Sequence, residues 1–400
     1  FRSNNINVRA IAQGASERNI SIIIDETNAK RALNALHESF FEKDLKDIHI
    51  FITGVGNVGG YLIKQIKNQK DFISENLGLN LKVLGISNSK KMLISKEEID
   101  LNNWSELLDN SNSKSDKDLF QKTIIELNRR NSLFIDNTAS DIIPLTYKDY
   151  LKNGIGIITC NKISNSGTLS LYKELRELSR KHNAPFFYET NVGAALPVIS
   201  TLKNLINSGD KVLKIEAVLS GTLNYIFNNF QEENTFHDIV SKAVDLGYTE
   251  PDPKIDLCGI DVCRKILILA RESGFNLEYE DVKKNHFLPD VSINTNSKDE
   301  FVLSLKNNKA HFNKILGEAK EKNCRLKFVA KLDNGNASVG LEAVSSDHPF
   351  YNLVGSDNIT VFYTERYKDS PLVVKGAGAG GEFTASGVFA DIIKASQENG

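Results

Sequence analysis

The 400-residue sequence has little of what marks several specialised protein classes. Its four cysteines include no Cys-x-x-Cys pair and none lies near histidine at zinc-site spacing, which argues against a disulfide framework or a structural zinc site. No apolar run approaches the roughly eighteen residues of a membrane-spanning helix. The 49 basic residues are balanced by 51 acidic ones, so we do not expect nucleic-acid binding as a main activity.

The few thiols are typical of free cysteines in a reducing compartment, and we therefore expect a cytoplasmic protein. The only methionine is Met92 and the first residue is Phe1, which leads us to expect a piece of a longer chain. What the sequence does contain is 40% hydrophobic residues, enough for a sizeable core and, at ordinary domain sizes, for more than one domain.

Buried strands and amphipathic helices alternate in the first half of the chain. The strand-like segments cover residues 48–53, 81–87, 133–136, 155–159 and 185–189. This alternation predicts a doubly wound parallel sheet. One polar stretch, residues 88–119, is instead predicted to be irregular.

The pattern changes after about residue 190. Helices are predicted at 197–207, 222–230, 236–246, 258–273 and 384–396, and strands at 212–220, 324–332, 337–345, 359–365 and 371–375. Consecutive strands joined by short polar turns are typical of an antiparallel sheet. The predicted fold class is therefore α/β, with a Rossmann-type doubly wound parallel sheet and a second α+β domain whose sheet is largely antiparallel.

A glycine-rich turn, Gly54-x-Gly56-x-x-Gly59, lies between the first buried strand and an amphipathic helix. The first glycine permits the tight turn, the second lets the backbone approach a pyrophosphate, and the third lets the helix pack closely on the strand. The following helix directs its free amides at the phosphates. The turn thus predicts a dinucleotide site, with a glycine-rich loop without a ligand as the alternative.

The end of the second strand bears on which nicotinamide cofactor is bound. NAD sites usually place Asp or Glu there, on the ribose 2′-hydroxyl. In this chain the segment is Ser87-Asn88-Ser89-Lys90-Lys91, with no carboxylate and two lysines. A 2′-phosphate suits this segment, so NADP is favoured and NAD remains possible. For the lysines, an ordinary solvated loop is the alternative.

Longer motifs resemble those of the homoserine dehydrogenase family. They are Phe51-Ile-Thr-Gly-Val-Gly-Asn-Val-Gly59, Asp136-Asn-Thr-Ala-Ser140, Thr159-Cys-Asn-Lys162, Tyr188-Glu-Thr-Asn-Val-Gly-Ala194, Leu219-Ser-Gly-Thr-Leu-Asn-Tyr225, Gly247-Tyr-Thr-Glu-Pro-Asp-Pro253, Gly259-Ile-Asp-Val-Cys-Arg-Lys265, Gly376-Ala-Gly-Ala-Gly380 and Thr384-Ala-Ser-Gly-Val-Phe-Ala390. Residues 1–46 resemble the last part of the ACT regulatory region of aspartate kinases, through Asn7–Gly14 and Glu17–Ile20. The whole is similar to the C-terminal part of a bifunctional aspartate kinase–homoserine dehydrogenase.

The resemblance implies four segments: a partial ACT-like segment at 1–46, an NAD(P)-binding Rossmann domain at 47–190, a catalytic and dimerisation domain at 191–375, and a C-terminal segment at 376–400 that returns to the cofactor domain. It implies a homodimer that interconverts L-homoserine and L-aspartate 4-semialdehyde with NAD(P), in threonine and methionine biosynthesis. The aspartate kinase portion is expected on the same full-length chain, without kinase activity in these residues. No nucleic-acid or membrane partner is expected.

Most of the residues implied for the chemistry lie between Glu250 and Lys265. Lys265 follows Asp261 by four residues, which places both on one face of a helix. The resemblance makes Lys265 the proton donor, assisted by Asp261, with Lys162 as a second catalytic residue. Glu250 and Asp256 are implied to bind the substrate. Without the resemblance, Lys265 and Asp261 would be an ordinary surface pair and Asp256 a turn residue.

The remaining implied contacts concern the cofactor and an ion. The cofactor contacts are Gly54, Gly56, Asn57, Val58, Gly59, Ser87, Thr138, Lys162, Gly247 and Gly380. A monovalent cation, sodium in similar proteins, is implied at Glu189, Val192, Ala194 and Leu196, mostly through main-chain carbonyls. Ala195 stands where glycine is common in the family.

Two other functions stay open. One is the dehydrogenation of another amino or hydroxy acid on the same scaffold, which a substrate panel separates. The other is a non-catalytic amino-acid-sensing fragment whose first 46 residues bind threonine. Because the ACT-like piece lacks its opening strand, we expect calorimetry to show little threonine binding there.

Overall fold

A computed structural model describes residues 6–14, 19–41 and 45–398 of the chain. The Glu17–Ile20 motif therefore falls partly on residues 15–18, outside the described residues. Two compact units are present. The first contains the described residues of Phe1–Ser164, Ser170–Tyr188 and Thr384–Gly400, and the second contains Asn165–Leu169 and Glu189–Phe383.

The strands and helices of the described residues have the following bounds. The strands are β1 (Val8–Gln13), β2 (Ile20–Ile24), β3 (Lys46–Thr53), β4 (Leu79–Ser87), β5 (Met92–Ile94), β6 (Ser132–Asp136), β7 (Gly156–Thr159), β8 (Phe186–Phe187), β9 (Val212–Val218), β10 (Lys283–Asn285), β11 (Arg325–Asp333), β12 (Asn336–Val344), β13 (Asp357–Thr364) and β14 (Leu372–Ala377). The helices are α1 (Ala29–Phe41), α2 (Asn57–Asn68), α3 (Lys70–Leu77), α4 (Trp104–Asp109), α5 (Lys117–Leu127), α6 (Tyr147–Lys152), α7 (Ile163–Ser166), α8 (Leu169–His182), α9 (Val198–Asn207), α10 (Gly221–Asn229), α11 (Phe236–Asp245), α12 (Pro253–Leu257), α13 (Ile260–Glu272), α14 (Asp290–Ile293), α15 (Lys298–Asn307), α16 (Lys309–Glu321) and α17 (Gly381–Glu398). Short 3-10 helices cover Glu26–Asn28, Ile143–Thr146, Glu189–Asn191 and Tyr279–Asp281.

The first unit is built on a six-stranded sheet in the order β5-β4-β3-β6-β7-β8. β3 pairs in parallel with β4 on one side and with β6 on the other, whereas β5 at the edge runs antiparallel to β4. The chain thus crosses to the opposite side of β3 between β4 and β6, which makes the carboxyl end of β3 a switch point of the kind that binds ligands. The predicted doubly wound parallel sheet is confirmed.

The core of the first unit explains why its strands are nearly continuous apolar runs. Ile50, Phe51 and Ile52 of β3 alternate between the two faces of the sheet and are all fully buried, as expected for a parallel sheet covered on both faces. Ala385, Val388 and Ile392 of α17 belong to the same hydrophobic cluster. The last helix of the chain therefore packs on the sheet of the first unit.

The second unit is built on a sheet in the order β10-β12-β11-β9-β13-β14. β9 pairs antiparallel with β11 and β13, which in turn pair antiparallel with β12 and β14. The short β10 at the edge runs parallel to β12. The largely antiparallel second sheet predicted from the sequence is confirmed.

Residues 88–119 are more regular than predicted. β5 pairs with the end of β4, and two helices, α4 and α5, begin within this segment. Asp116 caps α5, because its carboxylate accepts the amides of Asp118 and Leu119. The prediction of an irregular segment was wrong here because capping residues have the composition of a loop.

In the part of the chain that is described, no helix combines the length and apolarity needed to cross a membrane.

Candidate active site

The glycine turn after β3 has the geometry that a dinucleotide requires. Gly54 has a φ of +87°, in the left-handed region that favours glycine. A Cβ on Gly59 would lie 2.2 Å from the carbonyl oxygen of Gly54, so only glycine lets α2 start this close to the turn. A Cβ on Gly56 would meet no atom of the described residues within 4 Å, which leaves this face of the turn open.

The start of α2 and its surroundings fit an anionic ligand. The helix begins at Asn57 with Gly56 as its N-cap, and no described side chain accepts from its first amides as a cap. Such amides bind phosphate groups. Both side-chain polar atoms of Asn137 are buried without a hydrogen-bond partner among the described residues, and its amide nitrogen would lie 3.6 Å from a Cβ on Gly59. A buried amide without partners beside the turn is what a polar ligand would satisfy.

The two lysines of the expected 2′-phosphate segment, which follows β4, have different surroundings. Ser87 accepts the amide of Gly54 through its carbonyl, at 2.9 Å, and therefore lies beside the glycine turn. The ammonium of Lys91 donates to the carbonyls of Asp109 and Ser111, whereas Lys90 is exposed. Of the two lysines, Lys90 is thus the one that remains available to a phosphate.

Thr138 and Lys162 lie in the loops that follow β6 and β7. The Thr138 methyl would be 2.8 Å from a Cβ on Gly54, so Thr138 borders the glycine turn directly. Asn161, the residue before Lys162, donates to the carbonyl of Ser140 at 2.8 Å and therefore joins the two loops. The structure thus brings together the expected cofactor residues of the first unit at the carboxyl ends of its strands.

Lys265 is a buried cation of the second unit. Its side chain is 10% exposed, and its ammonium nitrogen lies 2.8 Å from a carboxylate oxygen of Asp261. The same nitrogen donates to the carbonyl of Leu219, which directly follows β9, at 2.7 Å. Lys265 is therefore not part of an ordinary surface pair: two acceptors hold a largely desolvated ammonium. Sequence reasoning missed Leu219, because main-chain carbonyls carry no residue-type signal.

The carboxylates expected to bind substrate lie near Asp261, the partner of this lysine. Asp256 accepts the amide of Glu250 at 2.8 Å. Burial raises the pKa of the Asp256 carboxyl, and the nearby charges of Glu250 and Asp261 raise it further. Thr249 adds a buried hydroxyl without a partner among the described residues, which was not predicted from the sequence. The cluster carries excess negative charge and favours a cationic group such as a substrate ammonium.

The two remaining glycines expected at the cofactor belong to the second unit. Gly247 has a φ of +71° and Gly380 a φ of +117°, both in the left-handed region. A Cβ on Gly247 would meet no atom of the described residues within 4 Å. Both positions are therefore turns that only glycine adopts without strain.

The expected cation loop is held mainly by its own main chain. The Glu189 carboxylate accepts the amides of Ile199 and Ser200, at 2.7 and 2.8 Å, and so caps α9. The carbonyl of Leu196 accepts the amide of Val198. Positive φ values occur at Gly193 and Ala194. Because the Glu189 carboxylate is engaged by these two amides, a cation at this loop would be bound by neutral carbonyls such as those of Val192 and Ala194.

Comparison with known proteins identifies the family. The family model for homoserine dehydrogenase matches residues 197–393, the model for its NAD-binding domain matches residues 54–189, and an ACT-domain model matches residues 1–40. Homoserine dehydrogenase of Schizosaccharomyces pombe is 37% identical over 358 residues, which cover 87% of this chain and 95% of that protein. The chain belongs to the homoserine dehydrogenase family.

Within the homoserine dehydrogenase family, the similarity extends to fused enzymes. The chloroplastic bifunctional aspartokinase/homoserine dehydrogenase 2 of Zea mays is 44% identical over 98% of this chain, but the match covers 43% of that protein. The chain thus spans less than half the length of this relative. A solved hyperthermophilic archaeal homoserine dehydrogenase in complex with NADPH is 27% identical, with a TM-score of 0.67 over 88% of this chain and 98% of that one.

Proposed function

We propose that the chain is an NAD(P)-dependent homoserine dehydrogenase that interconverts L-homoserine and L-aspartate 4-semialdehyde, as a step of threonine and methionine biosynthesis. The observation that carries the proposal is the desolvated ammonium of Lys265 between Asp261 and the Leu219 carbonyl. When bound, the nicotinamide supplies or accepts the hydride. Lys265 gives its proton to the carbonyl oxygen of the semialdehyde and takes the proton of the homoserine hydroxyl in the other direction.

The other residues have binding and electrostatic roles in this proposal. Glu250 and Asp256 bind the substrate ammonium, which is supported by their shared negative charge. Asp261 keeps Lys265 in place. Lys162 stabilises the negative charge that develops on the reacting oxygen. Gly54, Gly56, Asn57, Val58, Gly59, Ser87, Thr138, Gly247 and Gly380 contact the cofactor.

For the cofactor we propose NADP over NAD. The open turn at Gly56, the amides at the start of α2 and Asn137, whose side chain has no partner among the described residues, fit a dinucleotide. The absence of a carboxylate in residues 87–91 and the exposure of Lys90 support a 2′-phosphate.

We further propose that neutral carbonyls of the Glu189–Leu196 loop bind a monovalent cation, since such an ion prefers oxygen ligands.

The organisation of the chain is part of the proposal. We propose functional segments at 1–46, 47–190, 191–375 and 376–400, a homodimer, a cytoplasmic location and an aspartate kinase portion elsewhere on the full-length chain. The antiparallel strands of the second sheet support a homodimer, because such sheets pair readily across a two-fold axis. We expect no kinase activity from these 400 residues.

The test is to measure the homoserine-dependent appearance of NADPH absorbance with the parent protein and with Lys265→Ala. We expect Lys265→Ala to lower kcat by about 100-fold or more, the usual contribution of a general acid–base group. Lys314→Ala is the matched control, because Lys314 is also paired with a carboxylate four residues away, on α16, but is 77% exposed. A loss below about tenfold in Lys265→Ala contradicts the assigned role. A panel of other hydroxy and amino acids checks the substrate.

A further inference from the structure

Four buried polar side chains lie together at the ends of β6 and β7, and the proposed reaction does not yet use most of them. Asp136, Tyr147 and Thr159 are fully buried and Asn161 is 3% exposed. Burying polar groups is costly unless they satisfy one another. We call these four residues the polar network.

Asp136 is the centre of the polar network. One of its carboxylate oxygens accepts the Tyr147 hydroxyl at 2.6 Å and the Asn161 side-chain amide at 3.2 Å. The other oxygen accepts the main-chain amide of Thr138 at 2.8 Å. The Tyr147 hydroxyl also lies 2.9 Å from the Thr159 hydroxyl. Burial raises the pKa of the Tyr147 phenol, as does the Asp136 charge, so the phenol remains a donor.

Asn161 extends the polar network into both loops of the cofactor site. Its side-chain nitrogen donates to the carbonyl of Ser140 at 2.8 Å, in the loop after β6. Its side-chain oxygen accepts the amide of Ile163, the first residue of α7, at 3.0 Å. Lys162, in the loop between β7 and α7, lies between these two anchored residues, Asn161 and Ile163.

We propose that Tyr147 is a positioning residue for the hydride transfer. Its hydroxyl fixes the Asp136 carboxylate, which in turn holds Asn161 and the Thr138 amide, so that Lys162 and Thr138 keep their alignment. This inference rests on the proposed function, through the roles of Lys162 and Thr138 in it. Losing this alignment is expected to slow the reaction strongly, since a misplacement of about 1 Å in an active site can cost about 100-fold in rate.

Tyr147→Phe tests this proposal because it removes only the hydroxyl. The ring keeps its edge contacts with Phe134 and Phe186, at centroid distances of 6.2 and 6.1 Å. Tyr150→Phe is the matched control. Tyr150 lies in the same helix, is 1% exposed and stacks on Phe134 at 4.2 Å, but it is not part of the polar network.

We expect two effects in the full chain that the control variant lacks. Tyr147→Phe lowers kcat by about tenfold or more while the KM for homoserine changes by less than about twofold, the pattern of lost alignment rather than lost binding. Hydrogen exchange of the Thr138 and Ile163 amides becomes about tenfold faster, because opening free energies fall where anchoring bonds are lost. This second effect does not depend on turnover.

A double-mutant cycle decides whether Tyr147 acts through Lys162. In a Lys162→Ala background we expect Tyr147→Phe to lower kcat by a smaller factor than in the parent protein, because only the alignment of Thr138 is then left to lose. Equal losses in both backgrounds, equal losses in Tyr150→Phe, or unchanged exchange of the two amides would overturn the proposal. If the parent protein does not oxidise homoserine but Tyr147→Phe still speeds the exchange of both amides, the anchoring by Tyr147 is supported and the proposed function is contradicted.

Discussion

At the scale of single residues, we expect Lys90 to determine how the protein distinguishes its two possible cofactors. Lys90 is exposed three residues after Ser87, whereas the Lys91 ammonium is held by the carbonyls of Asp109 and Ser111. Lys90→Ala should raise the KM for NADP about tenfold and the KM for NAD less than about twofold, because one charge-assisted hydrogen bond to phosphate is lost.

Steady-state kinetics with both cofactors measure this effect. Lys122→Ala is the control for the general loss of positive charge, since Lys122 is 72% exposed on α5 and pairs with Glu126. Equal changes in the two KM values after Lys90→Ala would mean that the loop does not recognise the 2′-phosphate.

Side-chain patterns predicted only part of the site at this scale. The four-residue spacing placed Lys265 and Asp261 together, and the structure confirms their contact at 2.8 Å. The carbonyl of Leu219 and the buried side-chain amide of Asn137 were missed, because neither depends on a recognisable residue spacing. Tyr147 was missed because a tyrosine in a short amphipathic helix is indistinguishable by pattern from any core aromatic residue.

At the scale of elements, the contact between β3 and α2 is the most restrictive feature of the cofactor turn. We expect Gly59→Ala to weaken NADPH binding by about tenfold or more. The added Cβ forces α2 away from the Gly54 carbonyl, and a displacement of about 1 Å misplaces the amides that hold the phosphates. Gly60→Ala is the control one residue later, since a Cβ there meets no described atom within 4 Å.

Fluorescence titration with NADPH and thermal unfolding distinguish the two variants. Gly60→Ala should keep its affinity and gain about 0.5–1 kcal/mol of stability, the usual difference between alanine and glycine in a helix. If Gly59→Ala binds NADPH as tightly as the parent protein, the close approach of helix and turn is not what the cofactor requires.

Elements with a strong apolar pattern were predictable, and several elements without one were not. β3 and β4 carry enough consecutive apolar residues to be recognised, and the structure extends each by two residues at its start. β5 has three residues and α4 has six, too few for a period to show. α15 was missed because Phe301 and Leu305 are its only buried residues among ten, so its apolar stripe is narrow.

At the scale of the whole molecule, the two units carry different parts of the proposed chemistry. The glycine turn, Thr138 and Lys162 belong to the first unit, and Glu250 and Lys265 belong to the second. Each unit has its own sheet, so ligand effects on local stability can be assigned to one unit or the other.

This division predicts where each ligand slows hydrogen exchange. At a concentration of about 100 times its Kd, a ligand that binds only the native state stabilises it by about 2.7 kcal/mol. We expect NADPH to protect residues 54–60, 87–91 and 137–138 together with Gly247 and Gly380 of the second unit, and L-homoserine to protect residues 219–222 and 249–265. AMP and L-valine are the control ligands. AMP lacks the nicotinamide and the 2′-phosphate of NADPH, and L-valine lacks the hydroxyl of homoserine. Protection by NADPH confined to the second unit would contradict the assignment of the glycine turn, since a bound dinucleotide must shield the amides that hold its phosphates.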